Sequence, residues 1–316
     1  MTKKLPEVIQ ISKVELEKGN LVAIPTETVY GLAANGLNTS AVIKIFEAKN
    51  RPYFDPLILH TNSIEKAKLL VKEFPEKAIV LAEKFWPGPL TILLPKSDIV
   101  PDIVTSGLTH IAIRIPSHPL TLQLLESIDF PLAAPSANPF GYVSPTCTEH
   151  VRAQLDDKVN YILDGGPCKI GIESTIIGFE NGETIIHRLG GLEIEEIENI
   201  IGKVKINLNS SGDPKAPGQL KSHYATRTKI ISGNIENLMK ENRNKNFGII
   251  SFQNEYSSIN NIVLSRDGNI REAAKNLFSA MRQMDEKKLE LILIEIFPEE
   301  FLGRAINDRI KRACAD

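Results

Sequence analysis

The chain has 316 residues, of which 42% are hydrophobic and 6% aromatic, a composition typical of a globular protein with room for two domains. Its formal net charge of −2 argues against a protein that binds nucleic acid through its overall charge, so any basic surface must be local. The cysteines at 147, 168 and 314 are too far apart for a CxxC pair, which argues against a zinc site or a disulfide framework. Because no apolar signal region or bilayer-length apolar run occurs, we expect a cytoplasmic protein without membrane contact.

Helices and strands alternate along the first two thirds of the chain. The hydrophobic pattern predicts helices at 9–18, 40–49, 64–74, 75–85 and 120–127. It predicts strands at 21–24, 57–59, 91–94, 111–115, 132–134, 161–163, 174–177 and 184–188. Asn62 and Glu65 have the spacing of a capping box for the third helix. The interleaved order indicates an α/β domain with a twisted sheet.

The composition changes near residue 205. Residues 206–228 are rich in Asn, Ser, Gly, Asp and Pro, which predicts a linker, and a loop of this length is either disordered or functional. Beyond it, the pattern predicts strands at 229–232, 248–252, 262–264 and 291–296 and helices at 235–241, 270–284 and 301–313. We therefore predict a first α/β domain at 1–205, a linker or lid at 206–228 and a small α/β domain at 229–316.

Several common chemistries are excluded by missing motifs. Gly31 and Gly36 have P-loop spacing, but Leu37 and Asn38 follow where Lys and Ser or Thr are required. There is no GxSxG elbow, no HExxH, and no GxGxxG after the first strand. The six histidines lack metal-ligand spacing, so we expect no metal bound by the protein itself. If phosphates bind, they bind outside the common Gly-rich loops.

The string Lys49-Asn50-Arg51-Pro52 places two cations at the end of a predicted helix. Lys offers a mobile point charge and Arg a planar fork, a pair that suits a polyphosphate. Both charges could instead cap the helix dipole, and on this string alone the two readings weigh evenly. Arg51 and Arg188 are both predicted at chain turns, where substitution by Ala should have little effect on stability.

Further polar residues follow predicted strands, and each has a structural alternative. The segment 25–32 follows a buried strand, where ligands collect in open α/β sheets, but alone it fits a turn with satisfied Thr side chains. Arg114 falls in the apolar register with Ala112 and needs a partner, either a ligand or a structural ion pair. The turns at 134–138 and 144–146 suit anion-binding nests or helix N-caps. No core explains the aromatic His-Tyr pair at 223–224.

Together and in order, these segments resemble one family, the YrdC-like L-threonylcarbamoyl-adenylate synthases in their longer, two-domain form. The shared motifs are Pro-Thr-Glu-Thr-Val-Tyr-Gly-Leu at 25–32, Lys-Asn-Arg-Pro at 49–52, Pro-Ser-Ala-Asn at 135–138, Ser-Pro-Thr at 144–146, Glu-Ser-Thr-Ile at 173–176, and Pro-Gly at 217–218 with His-Tyr-Ala at 223–225. The resemblance covers 16–191 and continues at 216–224. Two positions depart from the pattern: Asp55, where the family more often has Asn, and Leu189, where Pro commonly precedes Gly-Gly.

The resemblance implies a twisted YrdC-like α/β sheet whose helices form a concave basic cavity, and a small Rossmann-like C-terminal domain. It implies synthesis of L-threonylcarbamoyl-AMP and pyrophosphate from L-threonine, bicarbonate or CO2 and ATP, with Mg²⁺ accompanying ATP. The product would pass to a separate tRNA threonylcarbamoyltransferase that modifies tRNA next to the anticodon. Two alternatives are an RNA-binding module with a basic concave surface and a carbamoyl-transferase relative that uses carbamoyl phosphate; the net charge makes direct tRNA binding doubtful.

The resemblance also implies roles for individual residues. Lys49 and Arg51 would be catalytic. Threonine would be held by Thr28, His60, Arg114 and Ser174. The ATP-binding set would be Lys49, Arg51, Asp55, Ala112, Ser136, Asn138, Ser144, Arg188 and Tyr224. Such a reaction needs positioning and charge stabilisation more than covalent catalysis, which suits these residue types.

Overall fold

The computed structural model describes residues 6–208, 216–258 and 260–315. Within them, the first domain contains eight α-helices and ten strands. The helices are α1 Glu7–Glu17, α2 Thr39–Lys49, α3 Ile64–Leu69, α4 Glu76–Phe85, α5 Asp102–Thr105, α6 Pro119–Ser127, α7 Thr148–Leu155 and α8 Ile194–Ile201. The strands are β1 Val22–Ile24, β2 Gly31–Asn35, β3 Ile58–His60, β4 Leu90–Pro95, β5 His110–Arg114, β6 Leu132–Ala133, β7 Tyr161–Ile162, β8 Thr175–Glu180, β9 Glu183–Arg188 and β10 Lys205–Ile206.

The ten strands form one mixed sheet in the order β10-β9-β8-β4-β5-β3-β6-β2-β1-β7. Its centre brings two parallel neighbours, β3 and β5, into register so that His60 pairs with Arg114 at their carboxyl ends. The pair β4 and β8 is also parallel, and β8 turns back antiparallel into β9. Polar residues at the ends of parallel strands therefore meet at one edge of the sheet, where ligands bind in folds of this kind.

The C-terminal domain is a separate α/β unit. Its elements are β11 Ile230–Gly233, α9 Ile235–Glu241, β12 Phe247–Ser251, β13 Asn261–Val263, α10 Ile270–Asp285, β14 Leu291–Glu295 and α11 Leu302–Ala313. The strands form a fully parallel sheet in the order β11-β14-β12-β13. Helix α9 connects β11 to β12 and helix α10 connects β13 to β14, as in a Rossmann-like unit. The predicted fold class, a twisted α/β sheet with a small α/β C-terminal domain, is confirmed. None of the described helices is long and apolar enough to cross a membrane.

Some predicted elements differ from the structure. The helix predicted at 64–74 ends at Leu69, because Val71 leaves it to form a β-bridge with Lys96. Its N-cap is Ser63, whose Oγ accepts from the backbone N–H of Lys66, so the predicted capping box at Asn62 was wrong. Strand β2 and helices α5 and α8 were not predicted. Strand β10 belongs to the large sheet, and residues 209–215 of the predicted linker lie outside the described residues.

The two domains meet through helices α10 and α11. Gly171 lies so close to α10 that a Cβ there would sit 2.3 Å from the carbonyl oxygen of Lys275. Its backbone is also left-handed, with a φ of +82°. Gly171 is therefore required twice, once for its conformation and once for the close approach of the domains.

We predict that Gly171→Ala destabilises the chain more than Gly182→Ala does. Gly182 has nearly the same φ, +78°, but nothing lies within 4 Å of its missing Cβ. Gly182→Ala should therefore lower the free energy of unfolding by about 1 kcal/mol through backbone strain alone. Gly171→Ala should add on the order of 1–3 kcal/mol for the clash with α10. Urea unfolding measures both, and equal losses would contradict the close approach.

Candidate functional site

A cavity that is partly open to solvent lies at the carboxyl ends of β3 and β5, beside the start of β8 and the end of β9. Eight of the predicted site residues line it: Thr28, Arg51, His60, Arg114, Ser136, Ser174, Arg188 and Tyr224. The structure thus brings together side chains that are up to 196 positions apart in the sequence. The remaining predicted residues, Lys49, Asp55, Ala112, Asn138 and Ser144, are buried behind the wall rather than in it.

One end of the cavity is built around Arg114. Its Nη2 donates to Glu27 Oε1 at 2.7 Å, its Nη1 to Thr28 Oγ1 at 2.9 Å, and its Nε to the carbonyl of Gly88 at 3.1 Å. The other oxygen of Glu27 accepts from the backbone N–H of Ser117 at 3.0 Å. Of the two partners that the sequence allowed for Arg114, the structural ion pair is present, with Glu27. Arg114 also lines the cavity.

His60 lies beside Arg114 and is neutral. Burial, with the adjacent charge of Arg114, lowers the pKa of His60 to about 3. Its Nδ1 has no hydrogen-bond partner among the described residues. The His60 side chain is among those that line the cavity. At neutral pH this imidazole can accept or donate a hydrogen bond, but it is too weak a base to hold a proton.

Arg51 and Asp55 form a buried ion pair at the other end. Arg51 Nη2 lies 2.9 Å from Asp55 Oδ2, and both side chains are almost fully enclosed. The arginine also donates from Nε to the carbonyl of Asp55 at 3.0 Å and from Nη2 to the carbonyl of Pro56 at 2.8 Å. Burial raises the pKa of Asp55, and the neighbouring cations oppose that shift. The carboxylate lies behind Arg51, outside the cavity lining.

Lys49 supports the wall of the cavity from behind. Its Nζ donates to the carbonyls of Ser136 and Asn138, on the turn that contributes Ser136 to the lining. Burial, followed by the charge of Arg51, lowers the pKa of Lys49 well below its ordinary value. Asn138 donates from Nδ2 to the carbonyls of Pro139 and Tyr142, each at 2.8 Å, and so fixes the same turn.

Arg188 occupies the centre of the cavity wall. Its Nη2 donates to Ser174 Oγ and its Nε to the carbonyl of Ser174, both at 3.0 Å. Burial lowers the pKa of Arg188 to about 10. Arg188 ends strand β9, and Arg51 and Arg188 are only 7% and 6% exposed. The expectation that they lie at exposed turns was wrong, because each guanidinium is enclosed by the backbone that it bonds.

The linker forms part of the cavity wall. Pro217, Gly218, His223 and Tyr224 all line it, and the carbonyl of Pro217 accepts from Arg188 Nη1 at 3.2 Å. The Tyr224 ring is 1% exposed and stacks on Phe278 of the C-terminal domain with ring centroids 5.4 Å apart. The part of the linker at 216–225 is therefore packed over the site in this structure.

Two lining or supporting carboxylates were not assigned from the sequence. Glu27 and Glu173 belong to the motifs at 25–32 and 173–176, and each forms an ion pair with a buried arginine, Arg114 and Arg309 respectively. Ala112 packs with Ile58, Leu93, Ile176 and Ala216 beneath the cavity. Ser144 donates its hydroxyl to Glu173 Oε1 at 2.5 Å, so its contact is with protein. No group of three or more His, Cys, Asp or Glu side chains able to hold a metal ion occurs in 6–208, 216–258 or 260–315.

Comparison with known proteins covers nearly the whole chain. Residues 14–190 match the Sua5/YciO/YrdC family model, described as telomere recombination, and residues 192–315 match the Sua5 C-terminal model, described as the C-terminal domain of threonylcarbamoyl-AMP synthase. The chain is 42% identical to the threonylcarbamoyl-AMP synthase of Pyrococcus abyssi, over 96% of this chain and 93% of that one. For the Bacillus subtilis protein of that name, the identity is 39%, over 98% and 93%. The crystal structure of P. abyssi Sua5 complexed with L-threonine matches with a TM-score of 0.92 at 41% identity, over 97% and 94%.

We predict that Arg51→Ala lowers the free energy of unfolding by about 3–5 kcal/mol, because it leaves the carboxylate of Asp55 buried without its cation. The double variant Arg51→Ala with Asp55→Asn removes both charges and should regain part of that loss. Urea unfolding of the parent, both single variants and the double variant gives the coupling energy. Strictly additive losses would contradict a direct ion pair.

Proposed function

This chain belongs to the Sua5/YciO/YrdC family in its two-domain form, and we propose that the cavity is where it makes threonylcarbamoyl-AMP. The activity is the synthesis of L-threonylcarbamoyl-AMP and pyrophosphate from L-threonine, bicarbonate or CO2 and ATP, for the modification of tRNA. The observation that carries the assignment is the full-length correspondence with P. abyssi Sua5, whose structure was determined with L-threonine.

Threonine binds at the end of the cavity that holds Arg114. Its carboxylate accepts hydrogen bonds from the guanidinium of Arg114 and the hydroxyl of Thr28, which already lie 2.9 Å apart. Its nitrogen lies against neutral His60, which does not repel an ammonium group, and Ser174 bounds the far side. His60 acts as a hydrogen-bonding group rather than as the base, since its pKa is far below neutrality.

The chemistry proceeds in two balanced steps. The deprotonated amine of threonine adds to CO2, forming an N–C bond and a carbamate and releasing a proton. A carbamate oxygen then attacks the α-phosphorus of ATP. The bond from that phosphorus to the bridging oxygen breaks, and pyrophosphate leaves with the electron pair. Positive charge around the reacting phosphate stabilises this transfer more than any covalent group could.

The cations of the site have different tasks. Arg51 and Arg188 face the cavity and bind the phosphates, and Arg188 also touches Ser174, so it lies where the carbamate and α-phosphate meet. Lys49 acts by holding the 135–138 turn, which presents Ser136 to the nucleotide. Asn138, Ser144 and Asp55 support the nucleotide site from behind, and Ala112 forms its floor with Ile58. Tyr224 covers it.

Mg²⁺ would enter with ATP and be held by phosphate oxygens and water. The nearby carboxylates of Glu27, Asp55 and Glu173 are each paired with an arginine, so they do not fit a protein-bound metal. A separate tRNA threonylcarbamoyltransferase would consume the product, in the cytoplasm. An RNA-binding module is not favoured, because the arginines that line the cavity are almost fully buried and do not form an exposed surface that could contact a duplex.

We predict release of pyrophosphate from ATP only when L-threonine and bicarbonate are both present. L-Serine should be a poorer substrate by on the order of 1 kcal/mol, because the pocket loses the contact with one methyl group. The assay measures pyrophosphate with threonine, serine or glycine, with bicarbonate omitted as the control. No release with threonine, or equal release with glycine, would contradict the assignment.

We predict that the 216–225 segment opens to admit substrates and closes over them as a lid, excluding water from a carbamate and an adenylate that hydrolyse readily. Tryptic cleavage after Lys221, which is exposed, should slow when ATP and threonine are bound. Cleavage after Lys245, in an exposed turn of the C-terminal domain, is the control and should not change.

The companion measurement is the amount of ATP consumed per threonylcarbamoyl-AMP formed. Tyr224→Ala should raise this ratio because the nucleotide is left uncovered. Tyr224→Phe keeps the ring that stacks on Phe278 and should raise it less. If ligands do not change the cleavage after Lys221 and Tyr224→Ala has the parental consumption ratio, the 216–225 segment only links the two domains.

A further inference from the structure

Arg309 of α11 is a fully buried side chain of the C-terminal domain that contacts residues lining the catalytic cavity. The side chain is 0% exposed and lies on the same helix face as Ile306 and Ile310. Its Nη2 and Nε lie 3.1 and 3.2 Å from Glu173 Oε2. A guanidinium is buried in this way only when its charge and N–H groups are matched. Arg309 has two carboxylate partners: the closer, Glu173, belongs to the other domain, and the second, Asp308 of α11, has its Oδ2 3.4 Å from Arg309 Nη1.

Glu173 is held on every side. Its second oxygen, Oε1, accepts from Ser144 Oγ at 2.5 Å, and its carbonyl accepts from the backbone N–H of Gly191 at 2.8 Å. A Cβ on Gly190 would lie 2.4 Å from that same carbonyl, so the backbone packs tightly there. Glu173 lines the cavity immediately before Ser174, which contacts Arg188. The orientation of this carboxylate therefore bears directly on the charge that Arg188 presents.

Arg309 also supports the lid. Its guanidinium carbon lies 5.4 Å from the centroid of the Tyr224 ring, whose neighbouring ring is Phe278 of α10. Tyr224 has a left-handed φ of +64°, a conformation that a bulky residue keeps only when its surroundings hold it. Both Arg309 and Phe278 belong to the C-terminal domain. Glu173 and Tyr224, which both line the cavity, therefore both contact Arg309.

We propose that Arg309 is a positioning residue for the synthase reaction, through which the C-terminal domain sets the carboxylate of Glu173 and the ring of Tyr224. The proposal rests on the proposed function of the cavity. Without Arg309, the Glu173 carboxylate turns toward Arg188, the next cation in the cavity, and competes with the phosphates of ATP. At the same time Tyr224 loses its support and covers the bound nucleotide poorly. The C-terminal domain is then part of the active site and not an appended module.

Other ion pairs across the same interface provide matched controls. Arg271 pairs with Glu193 at 2.9 Å, and Arg304 pairs with Glu195. None of these four residues lines the cavity, and the two arginine side chains are 66% and 24% exposed. Arg271→Gln and Arg304→Gln weaken domain docking without touching Glu173 or Tyr224.

The decisive experiment compares KM for ATP and the ratio of ATP consumed to threonylcarbamoyl-AMP formed. Both quantities are independent of how much of the sample is folded, so a purely structural defect leaves them at the parental value. Arg309→Met should raise KM for ATP by about tenfold, as expected when a binding group is misplaced by a fraction of an ångström. It should also raise the consumption ratio. Arg271→Gln and Arg304→Gln should leave both unchanged.

Arg309→Lys serves if the Met variant does not fold. It keeps the charge opposite Glu173 but lacks the planar face against Tyr224. KM for ATP should then stay near the parental value while the consumption ratio rises. Parental values of both quantities in Arg309→Lys, or equal shifts in the two control variants, would overturn the proposal.

A second readout does not depend on the reaction. Hydrogen exchange at the amides of 216–225 should be faster in Arg309→Lys than in the parent and unchanged in Arg304→Gln. If the parent enzyme makes no product, the proposed function fails, whereas faster exchange in Arg309→Lys alone still supports the structural link. Parental exchange in that variant would remove the support for the lid.

Discussion

The structure depends on burying several positive charges around one cavity without neutralising them completely. Arg51 is paired with Asp55 and Arg114 with Glu27. Arg309 is paired with Glu173 and also lies 3.4 Å from Asp308. Arg188 and Lys49 instead bond mainly to backbone carbonyls and one hydroxyl. Carbonyl dipoles satisfy N–H groups but carry no net charge, so the guanidinium of Arg188, which lines the cavity, keeps the site positive. A polyphosphate supplies the missing negative charge when it binds.

This arrangement explains why the motif residues divide between the cavity and the layer behind it. Asp55 and Ser144 touch other protein groups, but each holds a residue that lines the cavity: Asp55 holds Arg51, and Ser144 holds Glu173. The resemblance to the family grouped them with the nucleotide-binding residues without separating the two layers. Asp55 in place of the family's usual Asn gives Arg51 a full counter-charge, so this chain offsets more of its phosphate-binding charge than an Asn would.

The sequence was sufficient to predict the helices and strands with a clear hydrophobic period and to find the ordered motifs. It was insufficient where an element begins, ends or forms through pairing with residues far away in the chain. Helix α2 and helix α9 follow the hydrophobic pattern closely. Helix α3 stops early because Val71 pairs with Lys96, a partner that no local signal indicates. Strand β2 was missed because its small residues, 31–35, carry little strand propensity and gain their place by pairing with β1 and β6. Arg309 had one detectable sign, an arginine on the apolar face of a helix.

The burial of the arginines changes how their substitution should be interpreted. Had Arg51 and Arg188 been exposed at turns, a loss of turnover in an Ala variant would have reported catalysis directly. In the structure each guanidinium also ties loops together: Arg51 joins the end of α2 to the chain at 55–56, and Arg188 joins β8 to the linker through Ser174 and Pro217. Removing either therefore lowers activity and stability together. Only quantities that do not depend on the folded fraction, such as KM or the ATP consumed per product, separate the two effects in a site whose binding groups are also its structural supports.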